Sequence, residues 1–169
     1  MTRLPILCLA LASLVLSSHR AWAAPIKACD FITVQTASSV FGATVGAGDE
    51  ESALYGSQQC VFTRTDPASA GLINLGLTDA KTMAAGLGQS DVAALIRLFQ
   101  QTNPYNGKTS EAIPSLGEWN SYVWDKDLDD HTLTVLYHGK VLILLARGSK
   151  NPNLKAAIVQ AMRQAMQKL

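Results

Sequence analysis

The stretch Val141-Leu142-Ile143-Leu144-Leu145-Ala146 constrains the fold more than any other part of this chain, because it is apolar at every position. A half-buried strand alternates apolar and polar side chains, so an unbroken run predicts a central strand covered on both sides. His138-Gly139 supplies a tight turn before it, with Gly139 able to take a positive φ, and residues 131–137 form its hairpin partner. Residues 119–124 read as a further strand. The C-terminal half is therefore committed to a sheet.

Upstream, 59–65 and 71–78 alternate with period two, placing Ile73, Leu75 and Leu77 on one face and Asn74, Gly76 and Thr78 on the other. Joined through Asp66-Pro67-Ala68-Ser69-Ala70, they predict an antiparallel pair. Thr33 as N-cap, Val34, Ala37, Val40 and Phe41 at helical spacing, and Gly42 as a left-handed cap predict a short opening helix. The Gly- and acid-rich span 42–56, with Asp49, Glu50 and Glu51, reads as a connection. Helical spacing returns over 79–101 through Val92, Leu95, Ile96 and Phe99, broken at Gly86-Leu87-Gly88 and capped again by Ser90. Residues 102–114 carry Asn103-Pro104, Asn106-Gly107 and Pro114 and read as a loop. A closing helix starts at about Pro152 and buries Leu154, Ile158, Ala161, Met162, Ala165 and Leu169. Helix, strand pair, helix, strand triplet and helix predict the α+β class: an antiparallel sheet of about five strands with helices packed on its apolar face.

The first residues belong to a different physical category. Arg3, an apolar run over 4–16 and the small residues of Ala21-Trp22-Ala23 make residues 1–23 a secretory signal peptide. The apolar run is stopped by Ser17, Ser18, His19 and Arg20, short of the roughly 18 residues that a membrane-spanning helix needs. Cys8 lacks a lipoprotein cleavage context. The expectation is an exported chain, periplasmic or secreted, with no stable membrane insertion and a single α+β domain over 24–169. The whole sequence has 14 basic and 13 acidic residues; cleavage after Ala23 removes two bases, leaving a net charge of −1. Phosphate neutralisation takes clustered Lys and Arg, so this balance argues against nucleic acid as a partner. Cleavage also removes Cys8, and the remaining pair, Cys29 and Cys60, predicts one structural disulfide. It would tie the opening helix to the first strand pair.

Hydrolytic and metal chemistry fit the sequence poorly. There is no Gly-x-Ser-x-Gly elbow. His131 and His138 are seven positions apart, which would put them on opposite sides of one strand. With the cysteines committed, too few ligands remain for zinc. Gly107-Lys108-Thr109-Ser110 ends like a phosphate-binding loop, but Thr102 stands where the first glycine belongs. These absences predict a non-enzymatic protein without a cofactor; turnover dependent on His131 or His138 would revive an enzymatic role. Asp125, Asp127 and Asp129 alternate like the first half of a calcium loop, yet Asp130 replaces its glycine and Leu136 its bidentate glutamate. A solvated acidic hairpin loop that blocks edge pairing explains the run without a ligand and is the preferred reading. Beside it stand Trp119, Tyr122 and Trp124, with Tyr122 and Trp124 on one face and Trp119 on the other. Exposed, they would form a recognition surface for an envelope protein, a glycan or a small ligand; buried, they are core.

Cys29-Asp30 before a helix ending Phe41-Gly42, Cys60-Val61-Phe62 opening a strand, Leu116-Gly117-Glu118 before another and a closing helix form a larger pattern. It resembles an uncharacterised family of small bacterial envelope domains, best represented by actinobacterial lipoproteins. That resemblance implies an α+β sandwich similar to the photosystem accessory protein PsbP and the nuclear-import factor Mog1. It covers most of the mature chain, which differs in having no lipidation cysteine, and it brings no catalytic residues. The sequence thus points to an exported binding or accessory module using Trp119 to Trp124 and the Asp loop. A hydrolase inhibitor presenting residues 102–114 is the alternative.

Overall fold

The computed structural model describes residues 27–65, 71–102 and 109–169. The expected signal segment, the 66–70 connection and residues 103–108 of the expected 102–114 loop lie outside the described residues.

The chain is α+β, with one antiparallel sheet of seven strands in the order β1-β2-β3-β7-β6-β5-β4. These are β1 (Asp49–Ser52), β2 (Gln58–Thr63), β3 (Leu72–Asp79), β4 (Thr109–Glu111), β5 (Trp119–Asp125), β6 (Asp130–Tyr137) and β7 (Lys140–Arg147). The expectation of about five strands is corrected by the two edges, β1 and β4. Every residue of β1 is exposed, so it has no apolar alternation to betray it. Backbone pairing holds it, Glu50 lying opposite Cys60 and Ser52 opposite Gln58. Short, acidic edges of this kind discourage pairing with another chain.

The apolar strand β7 lies fourth of seven, at the centre. Leu142, Leu144 and Ala146 are fully buried on one face. That face is covered by α1 (Val34–Phe41) and α4 (Leu154–Met166), which supply Phe41, Ile158 and Met162 to the core. The other face is covered only in part. There α2 (Ala80–Gly86) and α3 (Val92–Thr102) pack Met83 and Leu95 near Val141 and Ile143, while Leu145 stays half-buried. Cover on both sides of β7 therefore holds at one end of the strand.

Local chemistry explains most element ends. Thr33 Oγ1 accepts from the Thr36 backbone N–H, and Gly42 ends α1 in the left-handed region at φ 73°. Asp91, rather than Ser90, caps α3: its Oδ1 accepts from the Ala94 N–H at 2.7 Å. The β6–β7 turn places both His138 (φ 48°) and Gly139 (φ 70°) at positive φ, as a two-residue hairpin with native twist requires. The last helix starts at Leu154, two residues later than expected, and Leu169 lies beyond its end, 39% exposed. Cys29 and Cys60 are disulfide-bonded, joining the turn before α1 to β2.

Candidate functional site

The four-residue turn between β5 and β6 sets the register Asp125↔Asp130, Trp124↔His131 and Tyr122↔Leu133. Trp124 and His131 are thus direct cross-strand neighbours, their rings stacked at 5.4 Å and 17°. Tyr122 lies two residues along on the same face, 5% exposed, with its hydroxyl 2.5 Å from His131 Nδ1. Burial, reinforced by the Glu111 carboxylate, pushes the Tyr122 hydroxyl up to about 12. Burial also pulls the His131 imidazole below its ordinary value, against the opposing charges of Asp129 and Asp130. Both groups are neutral near pH 7. Asp129 Oδ1, 3.9 Å from Nε2, favours the tautomer protonated at Nε2, and in that tautomer Nδ1 accepts from the tyrosine hydroxyl.

The opposite wall is the start of α4, positioned by the loop that precedes it. The carbonyls at the end of α1 have no partner within their own helix, and this loop satisfies them. Ser149 Oγ reaches the Val40 and Phe41 carbonyls at 3.1 and 3.0 Å, Asn151 Nδ2 donates to the Ser39 carbonyl at 2.7 Å, and the Lys150 N–H bonds the Phe41 carbonyl. So clamped, the loop holds Pro152, Leu154 and Lys155 over the sheet. Lys155 forms an ion pair with Glu111 at the end of β4, its Nζ 5.5 Å from the Tyr122 ring centroid.

Between these walls lies a cleft of about 430 Å³, lined by Glu111, Tyr122, Trp124, Asp129, His131, Ser149, Asn151, Pro152, Leu154 and Lys155. Trp124 remains 38% exposed, offering ring surface to a ligand. A tyrosine so firmly protonated is a poor nucleophile, and the histidine nitrogen nearest it is already engaged. The arrangement is suited to stacking, hydrogen bonding and charge pairing. A second groove, on the other face, is lined by Leu54, Tyr55, Met83 and Phe99 among others, without a charged side chain.

The expected aromatic surface is thus divided by the sheet. Tyr122 and Trp124 share the cleft, whereas Trp119 stacks on Phe99 of α3 at 5.6 Å and belongs to the packing of the other face. The three candidate calcium ligands are separated as well. Buried Asp125 turns its Oδ1 back to the N–H groups of Asp127 and Leu128 at 3.1 and 3.4 Å, which shapes the hairpin turn. Asp127 is exposed, and Asp129, at φ 52°, lines the cleft. Among the described residues, no three His, Cys, Asp or Glu side chains are grouped to hold a metal ion. Asp130 instead makes a two-pronged pair with Arg147, both contacts at 2.6 Å.

In the sequence His131 is only the first residue of the expected 131–137 strand. Counting outward from the 126–129 turn would have placed it opposite Trp124. Glu111 and Lys155 left no such signal, because they meet through tertiary packing. His138 stays at the hairpin tip, its backbone N–H bonded to Glu118 Oε1. Comparison with known proteins finds no family model, curated protein or solved structure that matches the chain.

Proposed function

We propose that this protein is an exported, non-enzymatic binding module of the bacterial envelope that holds a small ligand in the cleft between β4–β6 and α4. The observation that carries this reading is Trp124, partly exposed and stacked on a half-buried, neutral His131 beside Tyr122, in a cleft whose other side presents charged groups. Preformed pockets that combine aromatic surface with a few fixed polar groups are the usual setting for small-molecule recognition. The N-terminal apolar segment and the Cys29–Cys60 disulfide support export. The resemblance to bacterial envelope domains supports the same compartment.

The test is chemical-shift mapping of the processed protein against a panel of monosaccharides, amino acids and small amines. The expected result is saturable shifts centred on the Trp124 indole, Asn151 and Lys155, abolished in Trp124→Ala. Shifts that cluster elsewhere, or none with any member of the panel, would overturn the proposal.

A further inference from the structure

We infer that the cleft recognises an organic cation, an alkylammonium group that displaces Lys155 from between Glu111 and the Tyr122 ring. This inference rests on the binding role proposed above and names its ligand class. Both aromatic rings of the cleft already have an ammonium of the chain's own above them. Lys155 Nζ lies 5.5 Å from the Tyr122 centroid, and Lys126 Nζ lies 5.1 Å from that of Trp124. Such distances are those at which a ring's electron-rich face attracts a cation.

The charges around the rings favour the same class. Glu111 and Asp129 line the cleft against a single lysine, Lys155, and His131 adds no positive charge while it is neutral. Lys126 approaches Trp124 from the hairpin turn and is not part of the lining. An anionic ligand would meet two carboxylates. A neutral ring could stack on Trp124 but would leave those carboxylates unused. An ammonium satisfies both rings and acids, and Glu111 keeps a counter-ion when Lys155 leaves. Lys155 can leave easily, because its side chain is 47% exposed and an ion pair in such contact with water is weak.

The exchange makes an unusual demand: removing a positive charge from the site should strengthen binding of a cation both by relieving repulsion and by vacating the position over Tyr122. A neutral or anionic ligand gains nothing from that repulsion term. Trp119→Phe leaves Trp124 as the tryptophan of the processed domain, so its emission reports on the cleft. Choline and n-butylammonium are titrated against 3,3-dimethylbutan-1-ol, the uncharged isostere of choline. The cations are expected to bind at least about tenfold more tightly than the isostere. Asp129→Asn should weaken cation binding several-fold while preserving the fold, since asparagine tolerates the φ of 52° found there. Lys155→Ala should tighten it.

Equal affinity for the isostere, or weaker cation binding in Lys155→Ala, overturns the cation assignment. If both ammonium probes fail and a sugar or neutral amino acid shifts the cleft resonances, the assignment falls while the binding role stands. If nothing in either experiment perturbs the cleft, both fall.

Discussion

His131 links the cleft to pH because its ring is held neutral by burial. Its folded-state pKa lies below the ordinary value of 6.5, so the unfolded chain takes up the proton first as pH falls. The stability contributed by the neutral ring is complete above the unfolded pKa and is lost as pH descends from there through the folded value. Asp79 and Asp91 act with the same sign at more acid pH. Each is held below 3.8 chiefly by a backbone hydrogen bond, from Thr82 and Ala94 respectively. Urea denaturation at pH 7, 6 and 5 should show stability declining across this range, and His131→Gln should flatten the decline. The substitution also disturbs the acceptor of the Tyr122 hydroxyl, costing about 1–3 kcal/mol at pH 7. An unchanged slope in the variant would show that His131 does not titrate as its surroundings require.

The elements that could be read from the sequence were those whose side chains carry their own instructions. Thr33 and Gly42 bound α1 through local capping, and the unbroken apolar run of β7 required a central position. β1 and β4 escaped because backbone pairing at the sheet edges leaves no apolar alternation. The cleft was half-legible on the same grounds: the parity of Tyr122 and Trp124 put them on one face, but the distance from Glu111 to Lys155 is bridged only once α4 docks. Gly117 shows the limit of local interpretation. Like Gly139 it has positive φ, 69° against 70°, so the two look alike along the backbone. Their surroundings differ. A Cβ at Gly117 would lie 2.5 Å from the Leu136 carbonyl oxygen and 2.6 Å from Val135 Cγ1, whereas one at Gly139 meets nothing within 4 Å. Gly139→Ala should therefore cost about 1 kcal/mol from φ alone, and Gly117→Ala about 1–3 kcal/mol more through the forced backbone shift. Thermal or chemical denaturation of the pair measures the difference, and equal losses would refute the close approach.

Across the molecule, the sheet separates the disulfide-stapled edge from the cleft proposed as the binding site. The disulfide and β1 lie at one edge, where the Cys29 N–H also bonds Glu50 Oε1. The Tyr122–His131 pair lies on β5 and β6 near the opposite edge. Besides the sheet itself, α1 links the two regions: it follows Cys29, and its C-terminal carbonyls hold the loop before α4. Replacing both cysteines with alanine should lower stability by roughly 3 kcal/mol, as the unfolded chain regains the freedom of a loop of about 30 residues. The cleft itself should survive, because its floor is fixed by β5–β6 pairing and its wall by side-chain bonds to α1, neither of which includes a cysteine. The measurement is a denaturation curve for the double variant, paired with the imidazole resonances of His131. Preserved imidazole shifts beside a lower unfolding midpoint would place the disulfide's effect on global stability. Altered shifts in the still-folded variant would instead mean that α1 transmits the loss of the bond through the Ser149–Asn151 clamp to the cleft.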